Sequence, residues 1–316
     1  MKIIYCILLV YIMSIVLYAE DRTKDWSITP LLNYEYLSFN GQIIHSPGEG
    51  VMFTKGNMTP DLSEERDSLL IAGVFKQYFV LNEQEGYPNL YHSINFMIDR
   101  KIGRHLFLGL LVAESDKPFY GGLRSFIGGP AYGYELIRNE NISLTLGIGL
   151  GVGDFGIELP NGDSLPVMPI PVVRFNAENS WINLSFEFLR KPELNITLFP
   201  EYRIRLINSF GVNQFRDIRD FLFDITLMYR FFSNDFKFGD FAGIGIGIKN
   251  GAFGFPLAEN GKSYELIYNS VYGLIDLTFL RIYGGYSFNS IEIYDLNRNR
   301  DIGNGFFINA ILAWQF

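Results

Sequence analysis

The chain is poor in the residues that most soluble catalysts and binding modules rely on. It has one cysteine and three histidines in 316 residues, and its formal net charge is −8. A single thiol cannot build a disulfide framework or a Cys-ligated metal centre. Cys6 lies early in the first apolar run, badly placed for acylation at the end of a leader. The acidic balance excludes the basic face that nucleic-acid binding requires. Zinc-ligand spacing, an EF-hand pattern and a phosphate-binding glycine loop between strand and helix are all missing, so no cofactor or metal is expected. Beyond Leu17 no apolar run approaches the ~20 residues of a spanning helix. No long stretch joins helical periodicity to Ala, Leu, Glu and Lys enrichment.

What the chain has instead is 29 Phe, 19 Tyr and 32 Gly. Aromatic residues favour strands, and glycine serves turns, bulges and close backbone approaches. Met1-Lys2, the apolar run Ile3 to Leu17, and Leu17-Tyr18-Ala19 before Glu20 read as a secretory signal peptide over residues 1–19, although Leu17 departs from the usual small residue. The alternative, a membrane anchor, is opposed by the shortness of the run. Residues 20–316 are then one domain. Because Lys2 leaves with the leader, its net charge falls from −8 to −9.

From Trp26 onward the apolar period is two. Ile142, Leu144, Leu146, Ile148, Leu150 and Val152 alternate with Ser143, Thr145, Gly147, Gly149, Gly151 and Gly153, a pattern through which no amphipathic helix can be drawn. Trp181 to Arg190 and Asp220 to Phe232 repeat it, and the GIGIGI of Phe236 to Lys249 echoes it as a second answer to one packing problem. Further strands are expected at Trp26 to Tyr36, Ser68 to Val80, Tyr91 to Arg100, Arg104 to Ala113, Arg124 to Ile137, Val167 to Phe175, Leu194 to Leu206, Tyr264 to Ile275, Thr278 to Phe288 and Gly305 to Phe316. Asn40 to Asp67 reads as a long loop with a short strand near Val51 to Thr54. Ile207 to Arg219, Asn250 to Ser263 and Asn289 to Asn304 also read as loops. The total is about fourteen strands, with twelve or sixteen as alternatives. Short and long connections alternate, but the alternation loses phase before Leu194 and again near the N-terminus. One strand is therefore miscounted near Glu193 to Leu206, where Pro200 cannot donate to a ladder, and another at the start.

In Gly305 to Phe316 the residues Phe306, Ile308, Ala310, Leu312, Trp314 and Phe316 share one face. A C-terminal strand of this kind, ending in an aromatic residue and Phe316, resembles the assembly signal of bacterial outer-membrane β-barrels. With the leader and the strand rhythm, the resemblance implies an all-β fold: a membrane-spanning antiparallel up-and-down barrel in the outer membrane. Trp314 and Phe316 would carry the assembly signal, and lipid and the barrel-assembly machinery would be the partners. The activity implied is porin-like passage of small solutes. The alternatives are a non-conducting barrel whose loops bind partners, and a barrel-embedded lipid hydrolase.

Charges facing lipid are costly, so Glu201, Arg203 and Arg205, opposite Leu198, Tyr202 and Ile204, are expected to line the lumen. Asp224 and Arg230 are expected to join them, with Glu265 and Arg281 as companions. Two readings stand: a charged filter, or an ion-pair network that holds the barrel shut. Aromatic residues near strand ends suit a bilayer interface better than a sugar track. For a hydrolase, His45-Ser46 and His92-Ser93 are poorly arranged, because adjacent strand residues face opposite sides.

Overall fold

The computed structural model describes residues 26–39, 42–55, 67–81, 90–115, 125–153, 167–189, 192–214, 219–231, 242–256, 263–277, 279–294 and 298–313. The expected leader, Trp314 and Phe316 lie outside them. Sixteen strands close into an antiparallel barrel in chain order. They are β1 (Trp26–Phe39), β2 (Gln42–Lys55), β3 (Ser68–Leu81), β4 (Leu90–Ile102), β5 (His105–Ser115), β6 (Ser125–Arg138), β7 (Ile142–Gly153) and β8 (Val167–Glu178). The second half is β9 (Ile182–Phe188), β10 (Pro192–Leu198), β11 (Ile204–Gln214), β12 (Arg219–Arg230), β13 (Gly243–Pro256), β14 (Ser263–Leu277), β15 (Leu280–Tyr294) and β16 (Arg298–Ala313). β1 pairs with β16 from Leu31↔Ala313 to Phe39↔Gly305, which closes the sheet.

The barrel thus takes the upper alternative count, and the two extra strands lie where the phase was lost. β2 fills most of the expected Asn40 to Asp67 loop. Its Pro47, Gly48 and Gly50 look like turn residues but act in packing: a Cβ on Gly50 would stand 2.5 Å from the Gly73 carbonyl oxygen of β3. Leu194 to Leu206 is a hairpin, β10 and β11, joined by a turn at 199–203 in which Phe199 has φ 57° and accepts a bond from Tyr202 N at 3.0 Å. The remaining expected loops are shortened in the same way. β11 runs to Gln214, β13 to Pro256 and β15 to Tyr294, and β16 begins at Arg298. β15 passes Asn289 through a bulge, with Asn289 at φ 51°.

Register and exposure together define the two faces. Outward on β16 are Phe306, Ile308, Ala310 and Leu312, as expected, and Phe306 is 65% exposed. Outward on β7 are Leu146, Ile148 and Leu150, on β13 Ile244, Ile246 and Ile248, and on β12 Phe221, Leu227 and Tyr229. At the rim carrying the chain ends, the rings of Trp181, Phe199 and Tyr202 pack together with centroids within 5.9 Å, and Trp26, Tyr229 and Phe231 are also exposed near it. β9 and β10 have only seven residues each, so the opposite rim is lowest there.

Candidate functional site

The candidate site of a closed barrel is its interior, and here that interior is divided. A round barrel of sixteen strands encloses an open aqueous channel. In this one Cα atoms of β5 and β13, half the barrel apart, approach within 8 Å. Next to them the ring of Tyr91 on β4 stacks on Tyr264 of β14, with centroids 6.2 Å apart. The walls β4–β5 and β13–β14 therefore meet, leaving one compartment bounded by β14 to β4 through the β1–β16 closure and another bounded by β6 to β12.

The first compartment is filled. Inward-facing Leu37, Phe39, Ile44, Val80, Tyr268, Tyr272, Leu274 and Phe307 form one buried cluster, in which Leu266 and Phe307 are 0% exposed. Its ions are enclosed and paired, with Lys76 Nζ 3.1 Å from Glu35 Oε2 and the Tyr264 hydroxyl donating to Glu292 at 2.8 Å. Lys249 differs. Its ammonium lies over three rings, 4.4 Å from the Phe307 centroid, 5.8 Å from Tyr272 and 5.9 Å from Tyr283, and makes no ion pair with a described residue. Such contacts are favourable when desolvated.

The second compartment carries exposed inward polar residues beside a small buried cluster of Leu106, Leu108 and Val172. Glu193 and Asn195 on β10 point inward and are exposed. Across from β10, Arg174 of β8 donates to Asp99 Oδ2 of β4 and to Glu187 Oε1 of β9, both at 2.8 Å. The Asp99 contact spans three intervening strands, because the interior face of β7 is bare. Gly147 and Gly149 also let β6 and β7 approach, since a Cβ on Gly147 would stand 2.0 Å from the Tyr132 carbonyl oxygen. β6 and β8 consequently come within 8 Å, less than the ~9.6 Å of two ordinary strand spacings. The glycines of β13 serve another end. Tyr272 lies over Gly247, where a Cβ would stand 2.5 Å from the ring, and its hydroxyl reaches Asp224 and Thr226 on β12. The two glycine stripes therefore solve different problems, a sharp corner and a ring-covered wall.

Of the expected lumen residues, Arg205, Asp224 and Arg230 point inward. Arg205 and Arg230 are buried near the chain-end rim, with Arg205 Nε 3.3 Å from the Tyr202 carbonyl oxygen. Glu201 and Arg203 do not share their face. Both sit exposed in the 199–203 turn, because the segment is a hairpin and Pro200 cannot extend the ladder. Arg281 points inward onto Asp276, at 2.9 Å and 2.6 Å. Glu265 shares its register face with the outward residues Ile267 and Val271, and is buried there. The bridging Arg174 was missed although strand phase places it opposite Val173 and Phe175. Lys249, which follows the GIGIGI run on the inward phase of β13, was also missed. His45 and His92 face outward, His45 Nδ1 lying 2.7 Å from the Tyr34 hydroxyl, while Ser46 and Ser93 face inward. Neither adjacent pair can join in a hydrolytic site.

No protein-family model matches the sequence, and no curated protein matches it. Solved structures that resemble it include OccK5 (OpdH) of Pseudomonas aeruginosa, at 8% identity and TM-score 0.37, covering 92% of this chain and 97% of that one. OccAB3 of Acinetobacter baumannii also has 8% identity and TM-score 0.37, covering 92% and 99%. OpdK of Pseudomonas aeruginosa, solved with vanillate, has 8% identity and TM-score 0.36, covering 93% and 99%.

Proposed function

We propose that this chain is an outer-membrane β-barrel that passes small solutes through the compartment bounded by β6 to β12. The closed ladder with an apolar outer face and an aromatic rim suits lipid, in which every backbone polar group needs a partner. The single observation carrying the channel reading is the contrast in exposure between inward residues: Glu193 and Asn195 are exposed, while Leu266 and Phe307 are wholly buried. Solute selection then falls to the Arg174, Asp99 and Glu187 group in that compartment. The rival, a non-conducting barrel, is favoured by the contact between β5 and β13. Planar-bilayer recording on the refolded mature chain decides between them. Steps of current are expected, and a bulky charged thiol reagent should reduce them in Asn195→Cys but leave Ser270→Cys unmodified. A folded barrel that passes no current overturns the channel.

A further inference from the structure

The outer wall beside the chain-end rim is uneven in charge. Along β7 to β16 the described outward residues of that half include no Lys or Arg; they are residues such as Leu198, Ile204, Tyr229, Ile244, Ile275 and Leu312. β1 to β6 differ. One row of cross-strand partners crosses them: Trp26↔Lys55, Lys55↔Leu69, Leu69↔Arg100, Arg100↔Phe107 and Phe107↔Tyr132. Residues directly opposite share a face, and Trp26, Phe107 and Tyr132 are exposed on the outside. Lys55 and Arg100 therefore stand exposed on the outer wall, with Leu69 between them. Their strands lie two spacings apart, about 9.6 Å.

Neither cation has a carboxylate partner among the described residues. Lys55 Nζ lies 5.3 Å from the centroid of Trp26. The neighbours of Arg100 spend their charge inside, Asp99 on Arg174 and Lys101 on Glu135. On this stretch of outer wall Asp67, at the foot of β3, accepts from Gly103 N at 3.1 Å. Glu49 lies six residues along β2 from Lys55, roughly 20 Å away. The row sits at the level of the aromatic rim, where exposed Trp and Tyr rings suit the headgroup layer and a charge costs little. Farther from the rim the wall is bare in two places. A Cβ on Gly109 would meet only Ile98 Cβ and one on Gly73 only Phe96 Cδ2, each at 3.8 Å. Both glycines share the outward phase of Phe107 and Leu69, so dips in the wall lead away from the two cations.

We propose that the sector from β2 to β5 is a docking surface for an anionic glycerophospholipid of the leaflet at the chain-end rim. Its phosphodiester is held between Lys55 and Arg100 above Leu69, and its acyl chains lie over Gly73 and Gly109. Arginine can grip two phosphate oxygens while lysine adds a point charge. A zwitterionic headgroup brings its own ammonium to the same phosphate, so the sector favours lipid of net negative charge. The proposal rests on the outer-membrane reading but not on conduction through the second compartment.

The refolded mature chain is placed in mixed micelles of phosphatidylglycerol and phosphatidylethanolamine with identical acyl chains, and the lipids retained on the barrel are counted by native mass spectrometry. Preferential retention of phosphatidylglycerol is expected. The preference should fall about fivefold in Lys55→Gln or Arg100→Gln and roughly thirtyfold in the double variant, and it should shrink as salt is raised. Lys55→Arg should keep it, as should Arg203→Gln, which removes an exposed cation outside the sector. Glycerol 3-phosphate, which carries the headgroup charge without the chains, should not displace the lipid at equal concentration. Each variant is first checked for its heat-dependent gel shift. Equal retention of the two lipids, or an unchanged preference in the double variant, overturns the docking surface. So does a loss in Arg203→Gln as large as in Arg100→Gln, or displacement by glycerol 3-phosphate. Phosphatidylglycerol preference without current supports the surface and rejects the channel alone. Loss of the gel shift in the unmodified chain rejects the barrel itself.

Discussion

The two compartments are built from one strand pattern and end in opposite states. Along β14, every second residue from Tyr264 to Leu274 is buried, and the set includes Leu266, Tyr268 and Tyr272. Along β10, the matching inward positions are Glu193, Asn195 and Thr197, and the first two are exposed. Period two fixes which face a residue occupies; it does not say what meets that face. The inward aromatics of β14 are met by those of β1, β4 and β16, and water is driven out. The inward polar groups of β8 to β10 pair with each other or stay exposed. One wall is a core, and the other is a lining.

The sharpest way to break this contrast is a charge on each inward face. Leu266→Asp, at a wholly buried site, should cost several kcal/mol and abolish the folded, heat-shifting band, whereas Asn195→Asp should fold normally. If both fold equally well, the first compartment is wet and the division is wrong. Gly247→Leu comes next. It displaces Tyr272 from Asp224 and should lower resistance to urea unfolding by about 1–3 kcal/mol. Arg174→Ala, which leaves Asp99 and Glu187 without their shared cation, should cost about 1–3 kcal/mol. It should also move the reversal potential toward cation preference, by an amount that shrinks as salt is raised. Asn250→Leu removes the carboxamide's hydrogen bonds to Phe223 N and the Phe221 carbonyl oxygen and should cost about 1–2 kcal/mol, read best as faster amide exchange at Phe223. The smallest effect is expected of Glu201→Ala and Arg203→Ala. In an exposed turn each should stay within about 0.5 kcal/mol and leave selectivity unchanged.

Most of the barrel was legible because outward faces obey one rule: Ile142 to Val152, Ile182 to Phe188 and Phe306 to Leu312 all alternate as lipid demands. The two strands that were lost break that rule for reasons of packing. β2 carries Pro47, Glu49 and two glycines, a turn-like composition that only contact with β3 explains. β11 begins right after a turn that Phe199 and Pro200 make without a glycine, and whose Glu201 and Arg203 read in strand phase as inward positions. The interior was less legible still. Strand phase predicted that Asp224 and Arg230 point inward, but the meeting of β5 with β13 depends on side-chain volumes summed around the whole ring. Leu106 and Leu108 illustrate this. Their clean alternation resembles a lipid face, yet they point inward and are buried against Val172.

The seven-residue strands carry a further consequence for the bilayer itself. A tilted spanning strand needs about 9–11 residues, and β9 and β10 fall short while β15 and β16, at fifteen and sixteen, exceed it. Lipid of uniform thickness cannot match both sides, so hydrophobic mismatch must be relieved by leaning the barrel or by thinning the membrane beside β9 and β10, at fractions of a kcal/mol per Å. Shorter acyl chains should therefore raise the refolded yield, and lengthening the β9–β10 hairpin by two residues on each arm should abolish that preference.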